Sequence, residues 1–141
     1  YVDLGKDLSD VALTAKKLAV GYLYSCALLT NGQAKCWGYN PYGQTGSADE
    51  GVRSYLGDVP GEMGKFLKAI DFGTDSSNGG TRPWKVLDIV AGYYHTCVVL
   101  DNNDVKCWGY NAYGNLGLGH TFNMGQGAAT MGNFLPAVQV Q

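Results

Sequence analysis

The groups in this 141-residue chain that could do covalent, metal or acid–base chemistry are four cysteines, two histidines and twelve carboxylates. Cys26 lies ten residues before Cys36, and Cys97 ten before Cys107. A zinc site would ask for Cys-x-x-Cys spacing or for histidines converging on the thiols, and His95 and His120 both fall in the second half. The cysteines therefore read first as disulfides, second as buried thiols and only then as metal ligands. Asp3, Asp71, Asp75, Asp88, Asp101 and Asp104 are spread among turns and strands. No carboxylate pair, Ser/His/Asp set or lysine-bearing phosphate loop emerges, and His95 as a base would stand alone. The run DNND at 101–104 lacks the downstream acidic ligand of a calcium loop. The expectation is a protein without catalytic residues, metal or cofactor, and without a small-molecule ligand.

What must position the cysteines is a repeat. KCWGYNPYGQTG (35–46) returns as KCWGYNAYGNLG (106–117), and a shift of 71 residues lays 19–46 over 90–117. A catalytic constellation is normally written once per domain, whereas a recurring string marks a recurring structural unit. A second shift, of 68 residues, superimposes MGKFLKAIDFG (63–73) on MGNFLPAVQVQ (131–141), and VDLG (2–5) on IDFG (70–73). The three-residue differences fall in DSSNGGTRP and in the stretch after the second KCWGYN, where loops absorb length changes.

Within each unit the signals are β. KKLAVG and VLDIVAG, YSCALL and HTCVVL, then QAKCWG and DVKCWG suit pleated, half-buried surfaces. A three-residue hairpin loop, Thr30-Asn31-Gly32 or Asp101-Asn102-Asn103, wants a left-handed last residue, and Gly32 and Asn103 occupy that place. That register puts Leu29 opposite Gln33, Leu28 opposite Ala34 and Cys26 opposite Cys36, with Cys97 opposite Cys107. Opposed residues at a non-hydrogen-bonded site have Cα atoms about 4.5 Å apart, within reach of a disulfide. One disulfide per unit is expected, Cys26–Cys36 and Cys97–Cys107, and with it a setting outside the reducing cytosol.

The short strand at 2–5 recurs at 70–73 and again in AVQV near the end. Each unit is expected to take such a strand as the fourth of an antiparallel sheet. The fold class is thus all-β: two tandem four-stranded propeller-type blades plus an extra terminal strand, a partial or assembled propeller. The first repeat is 1–73, made of strand 1–5 and blade unit 15–73; the second is 74–141, with blade unit 84–141. The one helical candidate is SDVALTAKK (9–17), where Ser9 or Asp10 could cap a short turn.

Charge and composition exclude more than they assign. A net charge of −2 without any cluster of Lys or Arg offers nothing to a phosphate backbone, so no nucleic-acid partner is expected. No apolar run approaches the roughly 18 residues of a membrane span. Twenty-one glycines mark a turn-rich chain. The sequence opens on Tyr1 without a leader pattern, which suggests a processed chain or a piece of something larger. None of the nine asparagines sits in a glycosylation sequon.

The string AGYYHTCVVLDNNDVKCWGYNAYGNLGLG resembles the repeat of the regulator-of-chromosome-condensation family, a β-propeller family. The matching positions are Gly92, His95, Thr96, Val105, Trp108, Gly109, Asn111, Gly114, Leu116 and Gly117. The first unit departs at Tyr24, where the pattern has histidine, and at Thr45, where it has leucine. The Cys-Trp-Gly variant, with PGEMG at 60–64, resembles a secreted branch of the family. The resemblance implies blades of a propeller that two units cannot close, hence a fragment, a ring completed by several copies, or an open stack.

Trp37 and Trp108 read as fillers between blades. Gly38, Gly43, Gly109 and Gly114, with Asn40 and Asn111, read as residues of tight loops. Tyr39, Tyr42, Tyr110 and Tyr113 are candidates for an interaction surface. The function expected is a non-catalytic extracellular repeat module, structural or protein-binding, in a larger cell-surface or extracellular assembly. Its partner would be a protein, or further copies joined at an unpaired edge strand. The alternative is an intracellular guanine-nucleotide exchange or chromatin-binding propeller. Specificity is expected in SADEGVRSYLGDV (47–59) and FNMGQGAAT (122–130).

Overall fold

The computed structural model describes residues 1–47, 54–77 and 81–140. Parts of two loops named above, 48–53 and 78–80, and the last residue lie outside the described set. In chain order the strands are β1 (Ala15–Val20), β2 (Tyr24–Leu29), β3 (Ala34–Tyr39), β4 (Tyr55–Leu56), β5 (Thr74–Asp75), β6 (Arg82–Pro83), β7 (Val86–Ala91), β8 (His95–Leu100) and β9 (Val105–Gly109). The first blade is the antiparallel sheet β1-β2-β3-β4, the second is β7-β8-β9, and β5-β6 is a small ribbon between them. A single bridge from Gly109 to Met124 stands in the second blade where β4 stands in the first.

The hairpins follow from local chemistry. Gly32 and Asn103 take the left-handed backbone, φ 84° and 68°, at the last loop position. Leu29 N–H donates to the Gln33 carbonyl at 2.8 Å, and Leu28 faces Ala34. Cys26 then faces Cys36, and Cys97 faces Cys107, with Sγ pairs 2.03 and 2.10 Å apart. Among the described residues no cysteine is free.

Two expectations need correction. The fourth strand of the first sheet is Tyr55–Leu56, and at the same edge of the three-stranded second sheet stands only the Met124 bridge, so neither place is taken by IDFG or AVQV. Residues 9–17 form no helix: Asp10 has φ 62°, Ala12 bridges Lys6, and Ala15 already belongs to β1. Pairing of the following residues with β2 outweighs one weak cap.

The IDFG segment lies between the blades. Ile70 N–H donates to the Ala34 carbonyl of the first blade at 2.8 Å. On its other side the Lys106 ammonium of the second blade donates to the Phe72 carbonyl (2.8 Å) and to the Gly132 carbonyl (2.9 Å). The first blade repeats this: Lys35 donates to Leu4 (2.7 Å) and Gly64 (3.2 Å). Asp3 and Asp71 close the same turn on the N–H groups of Gly5 and Gly73 (2.8 and 2.7 Å). Val138 N–H donates to the Val105 carbonyl at 2.8 Å, so AVQV lies on the second blade as IDFG lies on the first. Burial lowers the affinity of both ammonium groups for their protons, with nearby aspartates acting the other way.

Strand alternation then sorts the core. Cys26, Leu28, Ala34 and Cys36 point toward the second blade, and Ile89, Val98, Leu100 and Trp108 point back at them, with Ile70 and Phe72 between. On the outer side of the first blade Leu4, Ala27 and Leu29 form a smaller cluster with Leu13 and Trp37.

Candidate functional site: a face of tyrosines

The loop that follows the third strand of each blade is wound around an asparagine. Asn40 Oδ1 accepts from Thr45 N–H and Asn111 Oδ1 from Leu116 N–H, both at 2.9 Å. Two turns in succession surround it, Gly43 N–H to Asn40 and Gly46 N–H to Gly43, repeated by Gly114 to Asn111 and Gly117 to Gly114. Both asparagines are buried, which a residue with an amide side chain tolerates only when so bonded. The glycine after each tryptophan is required by close approach: Gly38 and Gly109 have φ 103° and 107°, and a Cβ there would fall 2.6 and 2.4 Å from the carbonyl oxygens of Leu23 and Tyr94.

These loops, with the turns that join β1 to β2 and β7 to β8, put eight of the ten tyrosines at one end of the blades. Tyr22 and Tyr93 stack at 4.3 Å with planes 9° apart. Tyr93 meets Tyr94 edge-on at 4.5 Å, and Tyr94 touches Tyr42 (5.0 Å) and Tyr39 (6.0 Å). Tyr42 meets Tyr110 at 4.9 Å, Tyr110 meets Tyr113 at 6.0 Å, and Tyr39 meets Tyr55 at 5.6 Å. The rings thus form one continuous network across both blades. Desolvation by the packed rings, reinforced by neighbouring phenols, raises Tyr39, Tyr93 and Tyr110 above the usual tyrosine value. The face offers stacking surface and hydroxyl groups.

Of the four tyrosines singled out in the sequence, Tyr113 is 87% exposed, while Tyr39, Tyr42 and Tyr110 are half-buried among other rings. The reading missed Tyr22, Tyr55, Tyr93 and Tyr94. The signal for Tyr22 and Tyr93 was present, because a Gly-Tyr pair follows β1 and β7 at the same position of both copies.

Trp108 is buried between the blades, and its Nε1–H donates to the Gln44 carbonyl of the first blade at 3.0 Å. Thr96 donates to the same carbonyl at 2.9 Å and to the Tyr24 hydroxyl at 3.0 Å, and Tyr24 donates to the His95 carbonyl at 2.6 Å. The tyrosine that departs from the repeat pattern therefore ties one blade to the next. Trp37 is half-buried on the outer side of the first blade. A cavity of about 390 Å³ lies away from the tyrosines, lined by Thr45, Leu56, Phe66, Leu67 and Ile70 among others. It borders Thr45, where the second blade carries the larger, buried Leu116.

Residues 15–44 and 86–115 match the model of the Regulator of chromosome condensation (RCC1) repeat. Over 113 residues the chain is 31% identical to the probable E3 ubiquitin-protein ligase HERC4 of Rattus norvegicus, a span of 80% of this chain and 9% of that protein. It is 32% identical over 104 residues to the ultraviolet-B receptor UVR8 of Arabidopsis thaliana, a span of 74% of this chain and 19% of the receptor. The chain therefore matches less than a fifth of the length of either relative. In three dimensions it is similar to human WBSCR16, with TM-score 0.58 and 20% identity over 82% of this chain and 25% of that one. It is also similar to a chain in the structure of Kap60 bound to yeast RCC1 (Prp20), with TM-score 0.50 and 16% identity over 92% and 25%. At these identities the structural likeness is one of fold. Residues 15–44 and 86–115 thus match the regulator-of-chromosome-condensation repeat, and the antiparallel sheets that hold them fit neighbouring blades of a partial β-propeller.

Proposed function

We propose that the chain is a non-catalytic, extracellular binding module that holds a protein partner on its tyrosine face. The observation that carries this reading is the single network of eight phenol rings spanning both blades. Tyrosine supplies large contact area with only two side-chain torsions to freeze, and its hydroxyl accepts or donates at the rim of a contact. The rings brace one another, so little ordering is left to be done when a partner arrives. The paired cysteines support the extracellular setting, since disulfides persist where thiols are not kept reduced.

Immobilised protein and its Tyr42→Ala and Tyr113→Ala variants are to be compared for the proteins they retain from extracellular fluid. Retained species should be lost from both variants while the melting temperature of Tyr113→Ala stays unchanged. Equal retention by all three would remove the tyrosine face from the function. For the setting, thiol titration of denatured, unreduced protein from its natural source should find no reactive cysteine. Four reactive thiols would place the protein in a reducing compartment.

A further inference from the structure

The cavity of about 390 Å³ in the first blade is lined at several points by residues that the second copy of the repeat replaces, and the replacements share a chemical direction. Thr45 and Ser47 line it, with their hydroxyls 3.2 Å apart. Under the shift of 71 residues their counterparts are Leu116 and Leu118. Leu116 is buried in the core cluster and Leu118 packs against it. Under the shift of 68, the lining residues Lys65 and Lys68 correspond to Asn133 and Pro136, whereas Leu67 and Ile70 keep apolar counterparts in Leu135 and Val138. The first copy therefore has room, hydroxyls and ammonium groups together, where the second has buried leucines and uncharged residues.

The walls are apolar inside and charged toward solvent. Leu56, Leu67 and Ile70 are buried, while Phe66 is 61% exposed and carries the Lys65 ammonium 5.0 Å from its ring centre. Glu62, Lys65, Lys68 and Asp71 all border the space. Both carboxylates are engaged by backbone: Glu62 Oε2 accepts from Gly57 N–H at 2.8 Å and Asp71 Oδ1 from Gly73 N–H at 2.7 Å. Asp71 also acts on the buried Lys106 ammonium of the second blade. Lys65 is exposed, and its methylenes can extend the apolar wall while the ammonium stays in water over the opening. An apolar cavity of this size with a few polar groups at one end has the form of a small-molecule site.

We propose that this cavity binds a small amphipathic carboxylate, with its hydrocarbon part against Leu56, Leu67 and Ile70 and its charge met by Lys65. Thr45 and Ser47, bonded to one another, leave the space that two leucines take in the second copy. A position kept only for packing has no use for that exchange, since hydroxyls bury less apolar surface than leucines do. The site is separate from the tyrosine face, because none of the eight rings lines it. It also departs from the expectation that the chain takes no small-molecule ligand.

Titration calorimetry with sodium decanoate below its micelle concentration, and with decanol as the neutral molecule of equal chain length, tests the site. Wild-type protein should bind one decanoate per chain. The double variant Thr45→Leu, Ser47→Leu, which carries the residues of the second copy, should lose both probes and melt no lower than wild type. Should it melt early, Ala69→Trp, at a half-buried wall position, takes its place with the same expected loss. Lys65→Gln, at an exposed position, should weaken decanoate several-fold, less so in high salt, and leave decanol unchanged. Absence of saturable decanoate binding by wild type, undiminished binding by the filled variants, or an equal effect of Lys65→Gln on the two probes would each overturn the proposal.

Discussion

His95 occupies the position where the first blade has Tyr24, and the exchange alters what the side chain can do. Tyr24 is buried with its hydroxyl shared among the His95 carbonyl, the Gly92 carbonyl and Thr96. The His95 imidazole packs on the Gly92 backbone, where a Cβ would fall 2.3 Å from the ring. Burial pushes its pKa below the usual 6.5. The folded chain therefore resists a proton that the unfolded chain accepts. Above 6.5 both forms are neutral and stability is at its full value; as pH falls below 6.5 stability drops until the folded-state value is passed. His95→Gln should flatten the fall in urea midpoint below pH 6.5. Asp88 and Asp75, held below the usual 3.8 by the Lys17 ammonium and the Ser77 hydroxyl respectively, act only at lower pH, where their contribution is lost. An equal slope in wild type and His95→Gln would show that the imidazole is solvated.

The short segments that look like strands are the elements the sequence leaves least legible. VDLG, IDFG and AVQV have the apolar alternation of a strand, yet the structure pairs them with no sheet. IDFG and AVQV are each held by a backbone hydrogen bond to the first residue of a third strand, Ala34 or Val105, and VDLG and IDFG each take a lysine ammonium, Lys35 or Lys106, on a carbonyl. Periodicity reports which residues are buried and not which partner buries them, so the choice between sheet edge and inter-blade wedge is invisible to it. The hairpins were legible because turn chemistry and paired cysteines fix register locally. Lysine was overlooked at 35 and 106 although it precedes cysteine in both copies. Lys106→Met leaves the carbonyls of Phe72 and Gly132 without their donor, at about 1–3 kcal/mol for each acceptor. Removing a buried ammonium returns part of that. The expected net loss is about 2 kcal/mol, read as a lower urea midpoint with unchanged slope. No change in midpoint would mean that water replaces the ammonium.

At the scale of the molecule, the shared wedge binds the blades into one folding unit. Residues 70–73 donate a hydrogen bond to the first blade and accept one from the second, and Phe72 packs on Trp108 at 5.4 Å. Calorimetry should show one transition with equal calorimetric and van't Hoff enthalpies. Two resolved transitions would mean that the wedge does not couple the blades. The tyrosine face was half legible for a related reason: four rings lie in the recurring strings KCWGYNPYGQTG and KCWGYNAYGNLG, but their joining to Tyr22, Tyr55, Tyr93 and Tyr94 exists only once two blades stand side by side. The lysine pattern also bears on heredity. A lysine of each blade is satisfied by carbonyls from the segment before its sheet and from the turn after it. A tandem duplication of one whole period, wherever its breakpoints fall, copies ammonium and acceptors together. The number of blades can thus grow or shrink between generations without any step that strands a buried charge.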